Sequence, residues 1–556
     1  MEAIDKILAK VQKPARYTGG EYNQIIKEKT KVDVRIALCF PDVYEIGMSN
    51  LGLRIIYGVL NNIENIWCER VFSPWADMEE QLRENNIPLY GLESYDAIKD
   101  FDIIAFSLGY ELSYTNMLNM LDLAGVPLRS NERNEKNPLV IAGGSCSLNP
   151  NPISDFIDLF VIGDGEEVIV ELINLYNDLK VDKESKANKT KFLEKSSILD
   201  GVYVPFIHDK TNTTISKRVV KNLDTAFFPT RTIVPSMSIV HDRAVLELFR
   251  GCYHKCKFCQ AGFTEHPVRS RSVETLTKQG IEEITNSGYD EIGLLSLSTG
   301  DYKDLSKLCD NLLKWCEPRK VSLSLPSLRA SDFNVELLKQ VQKVRKSSLT
   351  FAPEAGSQRL REYINKNITE GELLDACKLA FENGWNSVKL YFMLGLPTET
   401  DDDVLAIAKV AHNVLNTWRE YTNNKKRGVR ITLSTSCFIP KPHTPFEREE
   451  QISVKEYLRR VSIIKNSIQS KMITYNWHSP DQGYIEAALS RGDKGLGAVI
   501  ETAWRGGARF DSWSECFSLQ TWLNAFDECN LNIDDYATRK REENETLPWS
   551  FIAVRD

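Results

Sequence analysis

The chain has 556 residues, 42% of them hydrophobic and 26% charged, and a formal net charge of −8. This size and composition predict a soluble globular protein of about three domains of about 150 residues each, and the acidic total argues against a generally basic nucleic-acid binder. No apolar run reaches the roughly 18 residues of a membrane-spanning helix, the start of the chain lacks a signal-peptide core, and the twelve cysteines suggest no disulfide framework, so we expect a cytoplasmic protein with no membrane association.

The first predicted domain, residues 1–200, contains apolar stretches separated by helical patterns. Largely unalternated runs of this kind are typical of strands buried on both faces of a parallel sheet. They cover residues 34–40, 101–108, 138–144 and 159–163. The sequence therefore predicts a doubly wound, Rossmann-like α/β domain, in which ligands bind beyond the carboxyl ends of the strands.

Glycine-rich and polar turns follow these predicted strands. Glycine at such turns lets the backbone approach a large ligand closely. The candidate ligand-binding residues of the turns are Asp42, Tyr44, Gly47, Ser107, Gly143, Gly144 and Gly163. After a charged, solvated stretch at 177–195, the predicted connector of residues 201–240 consists of short strands and turns with no recognisable chemistry.

The next predicted domain, residues 241–470, alternates strands and helices six times. The predicted strands are 245–249, 291–298, 320–325, 347–352, 387–394 and 429–438. Repeated strand–helix units predict a parallel barrel, here a partial (β/α)6 barrel, with its active site at the carboxyl ends of the strands.

Three cysteines follow the first strand of this barrel. Cys252, Cys256 and Cys259 have the spacing Cys-x3-Cys-x2-Cys. Thiolates select soft metals, and iron–sulfur clusters are held mainly by cysteine. Three ligands would leave one iron of a 4Fe-4S cluster open for a small molecule. The alternatives are a zinc site completed by His254, although such a site normally has four clear ligands, and structural cysteines that share this spacing by chance.

The cysteine spacing resembles that of the radical SAM enzymes. In that family the open iron chelates the amino and carboxylate groups of S-adenosylmethionine, and electron transfer from the cluster cleaves this molecule to a 5′-deoxyadenosyl radical. The family also uses a six-unit partial barrel. The resemblance implies that Phe258, just before the third cysteine, lies over the adenine.

The turns after the later strands resemble the family's other binding segments. The resemblance implies that the turn of Ser298, Gly300 and Asp301 holds the methionyl amino group. It further implies that Glu354 accepts from the ribose, that Arg359 clamps the carboxylate, and that the turn at Leu396 packs on the adenine; arginine suits a carboxylate because it binds it bidentately. The segment 326–329, Pro-Ser-Leu-Arg, resembles cobalamin-linked and methylthiolating relatives. Any one of these turns could instead be purely structural.

The first domain resembles the cobalamin-binding domain that precedes the radical domain in one branch of the family. The segment 42–47 stands where proteins that bind cobalt through histidine have Asp-x-His-x-x-Gly, with Tyr44 in place of the histidine. Cobalamin would therefore bind without a histidine ligand to cobalt. The alternative is an α/β domain that has lost the cofactor, or a docking module.

The predicted C-terminal segment, residues 471–556, is rich in tryptophan and charged residues. Its four notable tryptophans are Trp477, Trp504, Trp513 and Trp522. Aromatic walls of this kind could close the mouth of the barrel and exclude water. Alternatively, the segment is a mainly helical subdomain whose tryptophans pack against the barrel.

Nearly the full chain resembles the bacterial family of radical SAM proteins with an N-terminal cobalamin-binding domain. This resemblance implies cobalamin-dependent methyl transfer to an unactivated carbon, with an electron donor such as a reductase, flavodoxin or ferredoxin, and a small radical-SAM-linked protein as a further partner. It also leads us to expect more sequence after 547–549. A radical rearrangement, ring-forming or RNA-modifying reaction without methyl transfer is the first alternative, and a non-catalytic iron–sulfur docking or sensing module is the second.

Overall fold

The computed structural model describes residues 2–182, 185–211, 213–325, 349–423, 426 and 428–554. The Pro-Ser-Leu-Arg segment at 326–329 lies outside these described residues. Within them, no helix is both long enough and apolar enough to cross a membrane.

A six-stranded sheet forms the first domain. Its strands are β1 (Val34–Phe40), β2 (Ile66–Phe72), β3 (Ile103–Ser107), β4 (Leu139–Gly143), β5 (Leu159–Val161) and β6 (Val202–Tyr203). They are ordered β2-β1-β3-β4-β5-β6, and all neighbours are parallel except the β5–β6 pair. This order reverses between β1 and β3, the point at which doubly wound sheets bind ligands. The predicted α/β class is confirmed.

Helices precede, connect and follow these strands. They are α1 (Glu2–Leu8), α2 (Tyr44–Gly47), α3 (Leu51–Asn61), α4 (Ala76–Glu84), α5 (Tyr114–Ala124), α6 (Val168–Asp178), α7 (Lys189–Ser196) and α8 (Pro205–His208). Local sequence sets their ends: the Asn50 side chain accepts from Leu53 N at the start of α3, and Gly125 adopts a left-handed conformation after α5. Such caps satisfy backbone groups that a helix leaves unpaired.

Strand β2 is absent from the sequence-based prediction. Its residues read Ile-Trp-Cys-Glu-Arg-Val-Phe, and all seven are buried. Glu69 and Arg70 interrupt the apolar run, yet they are only 0% and 1% exposed. Both are paired: Glu69 with Arg35, and Arg70 with Glu21 and Glu93.

The barrel region, residues 244–477, contains two parallel sheets. The first has the order β12-β11-β8, and the second has the order β13-β14-β15-β16. Their strands are β8 (Ala244–Glu247), β11 (Glu291–Leu295), β12 (Ser322–Ser324), β13 (Leu349–Glu354), β14 (Ser387–Leu394), β15 (Arg430–Cys437) and β16 (Ile473–Trp477). The six predicted strands are therefore present, and β16 adds a seventh from the segment that was predicted to follow the barrel.

Short strands and helices complete this region. Strand β9 (Phe249–Arg250) pairs antiparallel with β10 (Arg269–Ser270), and β7 (Ile215–Ser216) of the connector pairs parallel with β17 (Ile552–Ala553). The helices are α9 (Ala261–Thr264), α10 (Val273–Ser287), α11 (Leu305–Cys316), α12 (Gln358–Tyr363), α13 (Glu370–Glu382), α14 (Asp401–Tyr421) and α15 (Val454–Ser467).

The C-terminal helices pack on the first domain. These helices are α16 (Pro480–Ser490), α17 (Leu496–Arg505) and α18 (Leu519–Glu528). Trp504 and Trp522 belong to the same apolar core as β1 and β3. Trp504 Nε1 donates to Asn119 Oδ1 of α5 (3.3 Å), and Trp513 Nε1 donates to Asp42 Oδ1 (3.0 Å). Of the four tryptophans singled out in the sequence, Trp477 lies on β16 of the barrel region, whereas these three pack against the first domain instead of the barrel.

Candidate active site

The three cysteines lie on one loop between β9 and α9. Cys256 is 7% exposed, and Cys252 and Cys259 are half-buried. Two residues that follow α12, Ile364 and Asn365, form hydrogen bonds with this loop. Asn365 Nδ2 donates to Lys255 O (2.8 Å), and Lys257 N donates to Ile364 O (3.0 Å). Both contacts use the loop backbone, so neither of them occupies a thiol group.

Gly251, just before the first cysteine, fixes how the chain enters this loop. Its φ angle is +94°, in the left-handed region, and a Cβ atom there would clash with the carbonyl oxygen of Glu265. Only glycine adopts this conformation readily without such a clash. The position of Cys252 therefore follows from the position of β9.

The turn after β11 reaches the cysteine loop. His254 Nε2 donates to Asp301 Oδ2 (2.8 Å). In the same turn Ser298 is 3% exposed, and its Oγ has no hydrogen-bond partner among the described residues. A buried hydroxyl without a partner is costly, so Ser298 offers a hydrogen bond to a bound molecule. Gly300, beside Asp301, is half-buried in this turn.

Phe258 and Leu396 pack together in a small apolar cluster. Leu396 is 2% exposed, and Phe258 packs against the cluster from the loop. The other members of the cluster include Ala355, Leu360, Ile364, Phe438 and Phe446. The structure therefore brings these two predicted adenine contacts to one place beside the third cysteine.

Glu354 ends β13 close to Cys259. Its φ angle is +68°, which is uncommon for a residue with a side chain. Burial raises the pKa of its carboxyl group, and the opposing charge of Lys366, whose Nζ lies 3.3 Å from Glu354 Oε1, does not cancel the rise. Burial also raises the pKa of Cys259, on which the charges of Glu354 and Lys366 act as well. Glu354 and Lys366 thus form a charged pair next to the cysteine loop.

Arg359 is engaged elsewhere. Its Nη2 donates to Thr398 O (2.9 Å) and pairs with Asp403 at the start of α14, and its side chain is 53% exposed. The structure does not bring the Arg359 guanidinium to the cysteine loop. Lys366, which the sequence analysis did not single out, lies beside this loop through its pairing with Glu354.

An apolar cavity of about 550 Å³ separates the first domain from the cysteine loop. Four of the predicted turn residues of the first domain line it, namely Ser107, Gly143, Gly144 and Gly163. From the opposite side it is lined by β9, Gly251 and Leu295–Leu297. The carboxyl ends of β3, β4 and β5 therefore face the loop that carries the cysteines.

The other three predicted turn residues do not line this cavity. Tyr44 is 1% exposed, and its hydroxyl donates to Glu21 Oε1 (2.9 Å) inside the first domain. Asp42 accepts from Trp513 of the C-terminal segment. Gly47 packs against Phe72, so closely that a Cβ atom would overlap the ring. The 42–47 segment thus packs within the first domain and against the C-terminal segment.

Two sets of ion pairs join the domains on either side of the cavity. Arg250 contacts Glu166 and lies 3.2 Å from Asp164. Lys441 Nζ lies 2.9 Å from both Glu111 Oε1 and Glu486 Oε1. Sequence reasoning missed both sets, because isolated charges are usually solvated and only the fold shows these to be buried.

The donor set fits an iron–sulfur cluster. Within the described part of the chain, no three His, Cys, Asp or Glu side chains converge on a point that would hold one metal ion. A cubane does not require such a point, since each thiolate binds a different iron. The cysteine thiolates on one loop, the Ser298 hydroxyl without a partner among the described residues, and the packing of Phe258 beside Leu396 fit a 4Fe-4S cluster with a small molecule on its open iron.

Two protein families match successive parts of the chain. The family described as "Radical SAM proteins, N-terminal" matches residues 52–205, and the "Radical SAM superfamily" matches residues 246–411. The second match contains the cysteine loop, the turn after β11 and the turn at Leu396. Together the two matches span more than half of the chain.

Individual relatives cover different shares of the chain. An uncharacterised protein of Methanocaldococcus jannaschii is 29% identical over 476 residues, 85% of this chain and 91% of its own. The anaerobic magnesium-protoporphyrin IX monomethyl ester cyclase of Cereibacter sphaeroides is 24% identical over 54% of this chain, which spans 46% of the cyclase. The solved radical S-adenosylmethionine methyltransferase TsrM of Kitasatospora setae, with cobalamin and a [4Fe-4S] cluster bound, aligns with a TM-score of 0.49 at 13% identity over 74% of each chain.

The matched regions agree with the geometry of the site. Three cysteines on one loop lie at the carboxyl end of the first strand of a parallel barrel region, and the turns after β11 and β14 contact this loop. With these residues inside the matched range, the chain belongs to the radical SAM superfamily.

Proposed function

We propose that the protein is a cobalamin-dependent radical SAM methyltransferase that acts on an unactivated carbon. The observation that carries this proposal is the cavity of about 550 Å³ between the strand ends of the first domain and the cysteine loop. A ligand in this cavity would lie against the residues immediately before Cys252. Methyl transfer needs this arrangement, because the methyl carrier and the radical source must reach one substrate.

The bound groups would supply the difficult chemistry: the cluster cleaves S-adenosylmethionine and cobalamin carries the methyl group. The chain itself would bind and orient them. Cys252, Cys256 and Cys259 would hold the cluster. Ser298 and Asp301 would hold the methionyl end of S-adenosylmethionine, while Phe258 would pack on the adenine.

The cavity suits a large ligand that carries amides. Its lining is mainly apolar, and glycines at the ends of β4 and β5 bring the backbone close to the space. We assign Glu265 as a polar side chain that would form hydrogen bonds with the ligand. It lines the cavity, and burial raises the pKa of its carboxyl group. A carboxyl group that is protonated more readily can both donate and accept hydrogen bonds, which suits the carboxamide groups around a corrin ring.

A product assay tests the proposal. Anaerobically reconstituted protein receives S-adenosylmethionine and a low-potential reductant, standing in for a flavodoxin, ferredoxin or reductase, with and without cobalamin. We expect both 5′-deoxyadenosine and S-adenosylhomocysteine, the second only when cobalamin is present. Deoxyadenosine alone would contradict methyl transfer and favour a radical rearrangement, ring-forming or RNA-modifying reaction.

A pair of cysteine variants controls for the cluster. Cys256→Ala removes one thiolate of the loop, and we expect it to abolish both products and to lower the iron content. Cys516→Ala removes a half-buried thiol of the C-terminal segment and should behave as wild type. Cleavage of S-adenosylmethionine by the Cys256→Ala protein would refute the assignment of the cluster to this loop.

A further inference from the structure

Arg250 occupies the last position of β9, two residues before Cys252. Between them, Gly251 is held in a left-handed conformation against Glu265 and Val268. Strand β9 is itself fixed by its pairing with β10, in which Arg250 faces Arg269. A displacement of the Arg250 side chain would therefore be passed to the first cysteine through a short, constrained segment.

The Arg250 guanidinium binds carboxylates from both domains. Its Nε donates to Glu247 Oε1 (2.8 Å) of the barrel. Its other nitrogens pair with Glu166 and with Asp164 Oδ1 (3.2 Å), which belong to the turn after β5. The Arg250 side chain is 13% exposed. Several such contacts to one planar guanidinium restrict its position more than a single lysine contact would.

These pairs belong to a larger network with balanced charge. Asp164 also pairs with Arg269 and accepts from Val220 N (2.8 Å). Glu247 also accepts from Arg271 Nη2 (3.0 Å). Three arginines thus face three carboxylates, and all three carboxylates, Asp164, Glu166 and Glu247, line the cavity together with Arg250 itself.

We propose that Arg250 is a positioning residue that holds the cysteine loop in register with the ligand-binding turn of the first domain, so that occupation of the cavity and the state of the cluster are coupled. The identity of the two bound groups rests on the proposed function. The coupling is reciprocal, because a contact that links two binding sites changes both affinities by the same factor.

Four variants and one matched control test this role. Arg250→Gln and Glu166→Gln each remove one side of the contact between the domains, and the double variant removes both. Arg250→Lys keeps the charge without the planar fork. The control is Arg129→Gln, because Arg129 also joins the first domain to another segment through Glu501 (2.7 Å) but lies outside the cavity lining.

The first readout is the electron paramagnetic resonance spectrum of the reduced cluster, recorded without cobalamin at matched iron content. We expect Arg250→Gln and Glu166→Gln to change the spectrum in the same direction and the double variant to match Arg250→Gln, since each single variant already loses the contact between Arg250 and Glu166. Arg250→Lys should restore part of the wild-type spectrum, and Arg129→Gln should match wild type. If Arg250→Gln does not hold a cluster, the comparison uses Arg250→Lys and Glu166→Gln.

The second readout is the dissociation constant for hydroxocobalamin, followed by its absorption. We expect Arg250→Gln to weaken binding at least about 5-fold, as is typical of coupled sites. Wild-type spectra in Arg250→Gln and Glu166→Gln, or additive changes in the double variant, would overturn the positioning role. Failure of the wild-type protein to bind cobalamin would instead refute the proposed function, and the spectra without cobalamin would still decide the role of Arg250.

Discussion

The hydroxyl group of Tyr44 donates a hydrogen bond to Glu21 Oε1 (2.9 Å) in the interior of the first domain. Glu21 also pairs with Arg70 of β2. The sequence places Tyr44 at the position of a cobalt-binding histidine in related patterns, yet its side chain faces this buried ion pair rather than the cavity. Its role in the structure is therefore to satisfy a buried carboxylate.

The variant Tyr44→Phe distinguishes this structural role from a role in binding cobalamin. Removing a hydroxyl that bonds to a buried charged group should lower the free energy of unfolding by about 1–3 kcal/mol. We expect the dissociation constant for cobalamin to stay unchanged. Urea unfolding and a cobalamin titration measure the two quantities, with Tyr22→Phe as control because Tyr22 is 67% exposed. Weaker cobalamin binding with an unchanged free energy of unfolding would contradict this prediction and would indicate that Tyr44 contacts the ligand.

Individual site residues were predictable to different degrees. The cysteines could be identified because their spacing alone indicates a ligand set. Asp301 could be identified from its position after a predicted strand, and it lies beside the cysteine loop through its contact with His254. Arg359 could be placed in the right turn, but not oriented, because its direction depends on Asp403 and Thr398 some forty residues later in the chain. Lys366 gave no local signal, since only the fold brings it to Glu354.

At the scale of elements, the apolar pattern of the sequence predicted the strands that are largely apolar. It missed β2, because two adjacent charged residues interrupt the apolar run of that strand. The energetic cost of burying Glu69 and Arg70 is offset by ion pairs with residues far away in the chain. Glu93, which receives two hydrogen bonds from Arg70, is one of these residues. Hydrophobic pattern alone cannot distinguish such a strand from a solvated loop.

Helix α10 carries a buried glutamate, whose titration predicts how the stability of the protein depends on pH. Glu283 is 2% exposed, its Oε2 has no hydrogen-bond partner among the described residues, and burial raises the pKa of its carboxyl group to about 8. An unfolded glutamate titrates near pH 4.3. The folded state therefore retains a proton that the unfolded state loses, and stability falls as the pH rises from about 4.5 to about 8.

Replacing Glu283 with glutamine should remove this slope. Between pH 5 and 8 the wild-type protein should lose about 1 kcal/mol per pH unit relative to Glu283→Gln. Urea midpoints at several pH values measure the difference. Glu282→Gln is the matched control, because the Glu282 side chain is 42% exposed on the same helix. Parallel pH profiles for wild type and Glu283→Gln would show that Glu283 is ionised in the folded protein.

At the scale of the whole molecule, three segments meet at Lys441. Its Nζ contacts Glu111 Oε1 of the first domain and Glu486 Oε1 of α16, both at 2.9 Å. Beside it, His443 Nε2 donates to Leu148 O (2.9 Å), which ties the same turn to the short helix Ser145–Leu148 that follows β4. Burial alone would lower the pKa of Lys441, but the two carboxylates outweigh it and raise the pKa above its usual range.

The variant Lys441→Met tests whether this contact holds the domains together. It leaves two carboxylates facing each other without a cation, and removing one partner of a buried pair costs about 3–5 kcal/mol; the Lys441 side chain is 19% exposed, so we expect the lower end of that range. Hydrogen exchange should accelerate in the short helix Ser145–Leu148 and in residues 438–443.

A second change on the same contact distinguishes charge from packing. If repulsion between Glu111 and Glu486 drives the loosening, then adding Glu486→Gln to Lys441→Met should restore part of the hydrogen-exchange protection. Lys540→Met serves as control, because Lys540 pairs with Glu449 (2.9 Å) while its side chain is 63% exposed, and surface pairs of this kind contribute about 0–1 kcal/mol. Equal exchange in wild type and Lys441→Met would mean that apolar packing of the C-terminal helices on α5, rather than this ion pair, sets the arrangement of the domains around the cavity.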